Sequence, residues 1–206
     1  VLIAEKDPLK FVASLITSMD RNVPIILGNH QWGESEWVLF DQLFSPAVIF
    51  GLQKSTDGNQ PIFKEKDQGS ILIPTGGTSS DALRFAIHRW ESLEAQSLMV
   101  QTFLGDKAIN SICCLPLFHV SGLMQVIRAI ASNGQILFSQ LNELESASKL
   151  VAVEDFCLSL VPTQLSRLIS KGFIFEKMDK FIAIFLGGAP TSDSLLKKAK
   201  DYSLPI

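Results

Sequence analysis

Three short blocks carry the residue types most suited to chemistry. The first is Thr75-Gly76-Gly77-Thr78-Ser79-Ser80, two glycines and four hydroxyl side chains directly after the apolar run Ser70–Pro74. Glycine lets backbone N–H groups come close to a ligand, and hydroxyls add donors that suit the oxygens of a phosphate chain. The same composition also makes an ordinary surface β-turn, and the residues alone leave both readings open. A Walker loop is excluded, because no Gly-Lys-Ser/Thr follows. A dinucleotide fingerprint is excluded too, because Gly-x-Gly-x-x-Gly is absent. Arg84, just beyond the loop, is the nearest positive charge on its far side.

The second block runs from Leu115 to Leu123 and contains His119, Ser121 and Gly122, with Arg128 seven residues after Ser121. A histidine at a strand end is either a hydrogen-bonded structural group or a site residue working as a neutral imidazole. Arg128 has the apolar neighbours Val126, Ile127 and Ile130. A guanidinium there must find an anion or snorkel to solvent, and its planar fork suits a carboxylate. The third block, Gly187-Gly188-Ala189-Pro190, is either a plain strand-to-helix turn or a flat surface on which a planar ring could lie.

The elements that must position these blocks alternate. Pro8 after Asp7 opens a helix with Val12, Leu15, Ile16 and Met19 on its inner face, and Val23–Leu27 reads as a buried strand turning at Gly28-Asn29-His30. Helix 33–43 is expected to bury Trp37, Phe40 and Leu43, and Ala47–Phe50 follows as a strand. After a polar connection, 54–69, the strand Ser70–Pro74 forms a hairpin with the run 83–88. Helix Trp90–Phe103 carries an inner stripe of Leu93, Gln96, Ser97, Val100 and Leu104. Strands at 110–115, 135–138, 156–161 and 181–186 alternate with helices from Ser121 to Asn133-Gly134, over 142–152, over 163–170 with Thr163 as its cap, and over 192–200; Leu204–Ile206 begins another strand. The fold class is therefore α/β, with largely parallel sheets flanked by helices. Ligands on such sheets bind beyond the carboxyl ends of strands, where the Thr75, Pro116 and Gly187 blocks all fall.

Composition narrows the function classes. With 206 residues, 47% hydrophobic and 19% charged, the chain is that of a folded globular protein rather than a disordered one. A net charge of −3 without a basic cluster argues against nucleic acid or an anionic membrane as partner. No signal peptide is expected, nor a membrane span, since no uncharged apolar run reaches about 18 residues. Cys113, Cys114 and Cys157 have no metal-ligand spacing and read as reduced core thiols of a cytoplasmic protein.

The stretch Ser70–Trp90 resembles the phosphate loop of the adenylate-forming acyl-CoA synthetases, usually Thr-Ser-Gly-Thr-Thr-Gly-x-Pro-Lys. Leu115–Leu123 resembles that family's Pro-Leu-Phe-His segment and Leu186–Pro190 its Gly-Gly-Ala segment, in the same order. Phe118-His119-Val120-Ser121-Gly122, with Val161–Leu165 downstream, is most similar to the o-succinylbenzoate–CoA ligase branch of menaquinone and phylloquinone synthesis. Thr-Gly-Gly followed by Arg84–His88 resembles its cyanobacterial and plant-type members.

The resemblance implies a truncated large N-terminal domain over 1–206, with a subdomain change near 115–140 and the C-terminal domain absent. It implies a ligase using ATP and Mg2+, with CoA as cosubstrate. Thr75 to Ser80 and Arg84 would hold phosphates, Gly187–Pro190 the adenine, His119 would be the active-site histidine lining the acyl pocket, and Ser121, Gly122 and Arg128 would contact the acyl substrate. Ser80 stands where the family has glycine, and Asp81-Ala82-Leu83 replaces Pro-Lys, so that Arg84 would supply the missing charge. The family's Tyr-Gly-x-Thr-Glu segment, ribose-binding Asp and catalytic Lys lie beyond the resemblance, and the 206 residues alone are expected to be inactive. Another acyl- or aryl-CoA ligase and a non-catalytic nucleotide-binding module are the alternatives.

Overall fold

The computed structural model describes residues 1–52, 63–75, 82–145, 153–171 and 178–206, save the side chains of Glu65 and Glu145. Contacts divide the chain into two units: Val1–Leu93 with Leu117–Val120, and Glu94–Pro116 with Ser121–Ile206.

The first unit is built on a five-stranded sheet of order β3-β1-β2-β4-β5, comprising β1 (Leu2–Ile3), β2 (Ile25–Leu27), β3 (Ile49–Phe50), β4 (Ser70–Pro74) and β5 (Phe85–Arg89). Its pairings are parallel except β4 with β5, where Ser70 faces Arg89 and Pro74 faces Phe85. The hairpin expected from the run after the hydroxyl-rich loop is present. Leu2-Ile3 is too short to show a period in the sequence, yet as β1 it lies between β2 and β3 with both side chains fully buried.

Helix α1 (Pro8–Asp20) starts where Asp7 accepts the Leu9 and Lys10 N–H groups at 2.9 and 3.0 Å. Its inner face is Phe11, Ser14, Leu15 and Ser18, rotated from the expected one: Ile16 is exposed. Serines at 14 and 18 hide the true stripe from an apolar count, because a small hydroxyl side chain packs where a helix lies close to a sheet. Helix α2 (Glu34–Leu43) buries Phe40, while Leu43 is exposed. Phe40 lies edge-on to Trp37 and Phe85, and the pairs Trp32–Trp37 and Phe44–Phe85 are edge-on as well, with centroids 5.0–6.5 Å apart, geometries that aromatic quadrupoles favour.

The second unit has an all-parallel sheet of order β7-β6-β8-β9: β6 (Asn110–Cys113), β7 (Ile136–Phe138), β8 (Phe156–Leu160) and β9 (Ala183–Leu186). Helix α3 (Trp90–Phe103) precedes it, with Ser97 buried and Gln96 exposed against expectation. Helix α4 (Val120–Ser132) is buried on most of its circumference, which explains its apolar run. Asn133 follows with a φ of 58°, and Gly134 is so close to Ile109 that a Cβ would fall 2.1 Å from its carbonyl oxygen. Glycine is the residue that fits there.

Helices α5 (Leu141–Glu145), α6 (Pro162–Ser170) and α7 (Asp193–Asp201) complete the unit. Thr163 does not cap α6. The helix begins at Pro162, and Gln164 reaches back to accept the Val161 N–H at 3.0 Å, half of a capping box. Residues 204–206 form no strand, although Ile184 N–H donates to the Pro205 carbonyl at 2.7 Å.

Among the described residues no helix is long and apolar enough to cross a membrane.

Candidate active site

In the first unit the carboxyl ends of the parallel strands gather one group. The mouth of the β4–β5 hairpin is closed by Thr75, whose N–H and hydroxyl both donate to the Arg84 carbonyl, at 2.9 and 3.2 Å. That double contact fixes where the loop departs and returns. Gly76, Gly77, Thr78, Ser79 and Ser80 lie outside the described residues. Arg84 is exposed at the same mouth.

Strand β2 pairs with β4 in the register Ile25 to Ile71 and Ile26 to Leu72, so Gly28-Asn29-His30 leaves the sheet beside Thr75. Gly28 has no room for a side chain, since a Cβ would meet Leu2 at 2.9 Å and Ala4 at 3.3 Å. The His30 ring then lies edge-on to Phe118, with centroids 5.8 Å apart and planes at 82°. Phe118 in turn packs on His119, with centroids 4.5 Å apart. His119 is half-buried, and desolvation lowers its pKa below the usual histidine range, so that the ring is neutral near pH 7. A neutral imidazole is what the sequence expects at 119. His30 is absent from the sequence expectations except as a turn residue; its position after a buried strand and a glycine was the available signal.

The second unit presents a different chemistry. Gly122 is required by packing, because a Cβ would stand 2.2 Å from the Pro116 carbonyl oxygen as the first turn of α4 crosses the Leu115-Pro116 backbone. On the same helix Ser121, Gln125, Arg128 and Ser132 follow at spacings of four, three and four, and so share a face. Gln125 is fully buried, donates to the Ser121 carbonyl at 3.2 Å, and its Oε1 has no partner among the described residues.

Arg128 does not snorkel: it is 7% exposed. Its Nε donates to the Met124 carbonyl at 3.0 Å, and its guanidinium carbon lies 4.7 Å from the Phe185 ring centroid, a cation–π placement. Burial lowers its pKa, while the nearby Cys157 and Cys113 thiols act in the opposite sense. Those thiols give it no counter-charge, since burial pushes Cys113 up to about 11 and Cys157 upward as well. No carboxylate forms an ion pair with Arg128 among the described residues. Cys113, Cys114 and Cys157 are all free, as expected, and Cys114 is pushed up to about 12, so none is poised as a nucleophile.

Gly187 continues the β8–β9 ladder by donating to the Leu160 carbonyl at 3.2 Å. A side chain there would meet nothing within 4 Å, so the strand end is open on that side. Gly188 has a φ of 82°, in the left-handed region. Ala189 and Pro190 are exposed beside it. A shelf of small residues at the end of a parallel strand can receive a planar group.

Superposition on solved structures decides the fold. O-succinylbenzoate coenzyme A synthetase of Bacillus subtilis in complex with AMP matches with a TM-score of 0.72 and 17% identity, over 98% of this chain and 58% of that one. The same enzyme with ATP and magnesium ion matches at 0.73 and 18%, over 98% and 47%. The fold is that of the adenylate-forming acyl-CoA synthetases.

In sequence the chain is similar to the 2-succinylbenzoate–CoA ligase of Staphylococcus aureus strain MRSA252, with 29% identity over 146 residues. That match covers 70% of this chain and 29% of the relative's length. No protein-family model matches the chain.

Proposed function

We propose that residues 1–206 form part of the large domain of an o-succinylbenzoate–CoA ligase. Both units belong to that one domain in this reading. The acid's succinyl carboxylate attacks the α-phosphorus of ATP, pyrophosphate leaves, and the CoA sulfur then displaces AMP from the acyl carbon as the thiol gives up its proton.

The observation that carries the reading is Arg128. A buried guanidinium, held by a backbone carbonyl and an aromatic face and without a carboxylate partner among the described residues, is costly unless an anion arrives. The acid has two carboxylates, and only one reacts. Arg128 takes the other, a charge-assisted contact that orients the substrate without taking part in proton transfer. His119 lines the acyl pocket as a neutral ring, since an ionised carboxylate needs no base. Ser121 and Gly122 bring the first turn of α4 to the substrate.

Residues 75–80 and Arg84 take the phosphates, with Arg84 in place of the family's lysine. Gly187 to Pro190 take the adenine, where open space above Gly187 fits a flat ring. Magnesium would come with the phosphates and supply charge neutralisation there. The other partners are small molecules, nucleic acid is not one of them, and the compartment is the cytoplasm.

Binding tests the reading directly. Calorimetry with o-succinylbenzoyl-AMP and with AMP alone should show tighter binding of the acyl-adenylate, and Arg128→Ala should remove most of that difference. Equal affinity for the two ligands in the unsubstituted chain would sink the assignment, and a benzoyl-adenylate bound as tightly would favour a different aryl-CoA ligase.

A further inference from the structure

A second histidine stands at the first unit's site, and neither the family resemblance nor the similar proteins assign it a task. His30 leaves β2 at the sheet end that carries Thr75, and its ring meets Phe118 edge-on at 5.8 Å and 82°. Phe118 lies 4.5 Å from His119 at an interplanar angle of 53°. The three rings form a relay within one unit. The Nδ1 of His30 is sealed from solvent and has no hydrogen-bond partner among the described residues. Its contact with Phe118 is therefore made by ring faces and edges rather than by a polar bond, and an imidazolium with a buried, unanswered N–H would be disfavoured.

From this geometry we infer that His30 is a positioning residue: its ring fixes the plane of Phe118, and Phe118 fixes the plane of His119. The inference deepens the proposed function, on which its catalytic consequence rests. The aromatic ring does the positioning, and the nitrogens are dispensable for it. A phenylalanine at 30 keeps the edge-on contact and removes a buried polar atom without a partner. An alanine lets Phe118 turn and frees His119 with it.

The test compares the whole chain with His30→Ala and His30→Phe. In ¹³C-labelled protein the His119 Cε1–H resonance carries the ring-current shift of Phe118. It should move toward its solvent-exposed position in His30→Ala and stay in place in His30→Phe, with both variants remaining folded by circular dichroism. Acyl-adenylate binding should weaken roughly fivefold in the alanine variant, the worth of one aromatic pair, and recover in the phenylalanine variant. An unmoved His119 signal in His30→Ala overturns the inference. So does a His30→Phe variant that behaves like the alanine, which would give the task to a nitrogen. If the unsubstituted chain binds no acyl-adenylate, the function reading falls, while the resonance still decides His30.

Discussion

The two sheet ends differ in what they offer a ligand. The first unit presents two half-buried imidazoles, His30 and His119, beside a hairpin mouth that Thr75 closes on the Arg84 carbonyl and where the Arg84 side chain is exposed. The second presents one buried cation, Arg128, clamped between Met124 and Phe185. An exposed guanidinium such as that of Arg84 makes contacts that form and dissolve cheaply, as in the proposed reading would suit a phosphate chain that arrives on ATP and leaves as pyrophosphate. A pre-oriented, desolvated guanidinium discriminates instead, because leaving it without an anion is costly. In the proposed reading one end would serve the phosphate chemistry and the other would select the acid.

The glycines sharpen that contrast most. Gly122→Ala places a Cβ 2.2 Å from a backbone oxygen, so chemical denaturation should show a loss of about 3 kcal/mol, the upper range for overpacking. Gly187→Ala meets nothing within 4 Å and should cost under about 0.5 kcal/mol, yet impede a flat ligand. If Gly187→Ala destabilises as much as Gly122→Ala, the open shelf is wrong.

Next comes charge. Arg128→Ala should weaken o-succinylbenzoyl-AMP binding roughly tenfold to a hundredfold, matching a charge-assisted bond of about 1.5–3 kcal/mol, while AMP binding hardly moves. A parallel loss for both ligands in calorimetry would point to disturbed packing of α4. Arg128→Lys should recover only part, since an ammonium lacks the fork and the planar stack.

A smaller effect separates neighbours on α6. Gln164→Ala removes the contact to the Val161 N–H and should lower stability by about 1 kcal/mol, whereas Thr163→Ala should be nearly silent in thermal melts. The reverse order would restore threonine as the cap.

The smallest effect is in pH. Burial lowers the pKa of His30 and of His119, with the Lys6 charge adding to the lowering at His30. The unfolded chain then binds more protons than the folded one below the usual histidine value of about 6.5, so stability is full above it and declines as pH falls through it. His30→Phe should make that decline shallower in denaturation curves measured between about pH 7 and 5. An unchanged slope would remove the burial account of His30.

Much of this was legible in the chain itself. The alternation of buried strands with amphipathic helices determined an α/β fold, because each helix must cover a sheet and parallel strands need a crossover between them. The glycine- and hydroxyl-rich loop after Ser70–Pro74, the Phe118-His119 block and the Gly187-Gly188 turn were visible as breaks in an apolar pattern, which is how candidate sites show in a sequence. The Asp7-Pro8 start of α1 is equally local. Local signals failed where burial came from afar. Leu2-Ile3 is a central strand only because β2 and β3 flank it. Ser14 and Ser18 are inside only because a sheet lies close. The state of Arg128 depended on Phe185, 57 residues downstream by the difference of their numbers, and the place of His30 on Phe118 in a separate segment. Spacing along one helix can say that a side chain shares a face with Ser121. Whether that face meets water, a ring or an ion is decided by the elements packed against it, and those are brought there by the fold.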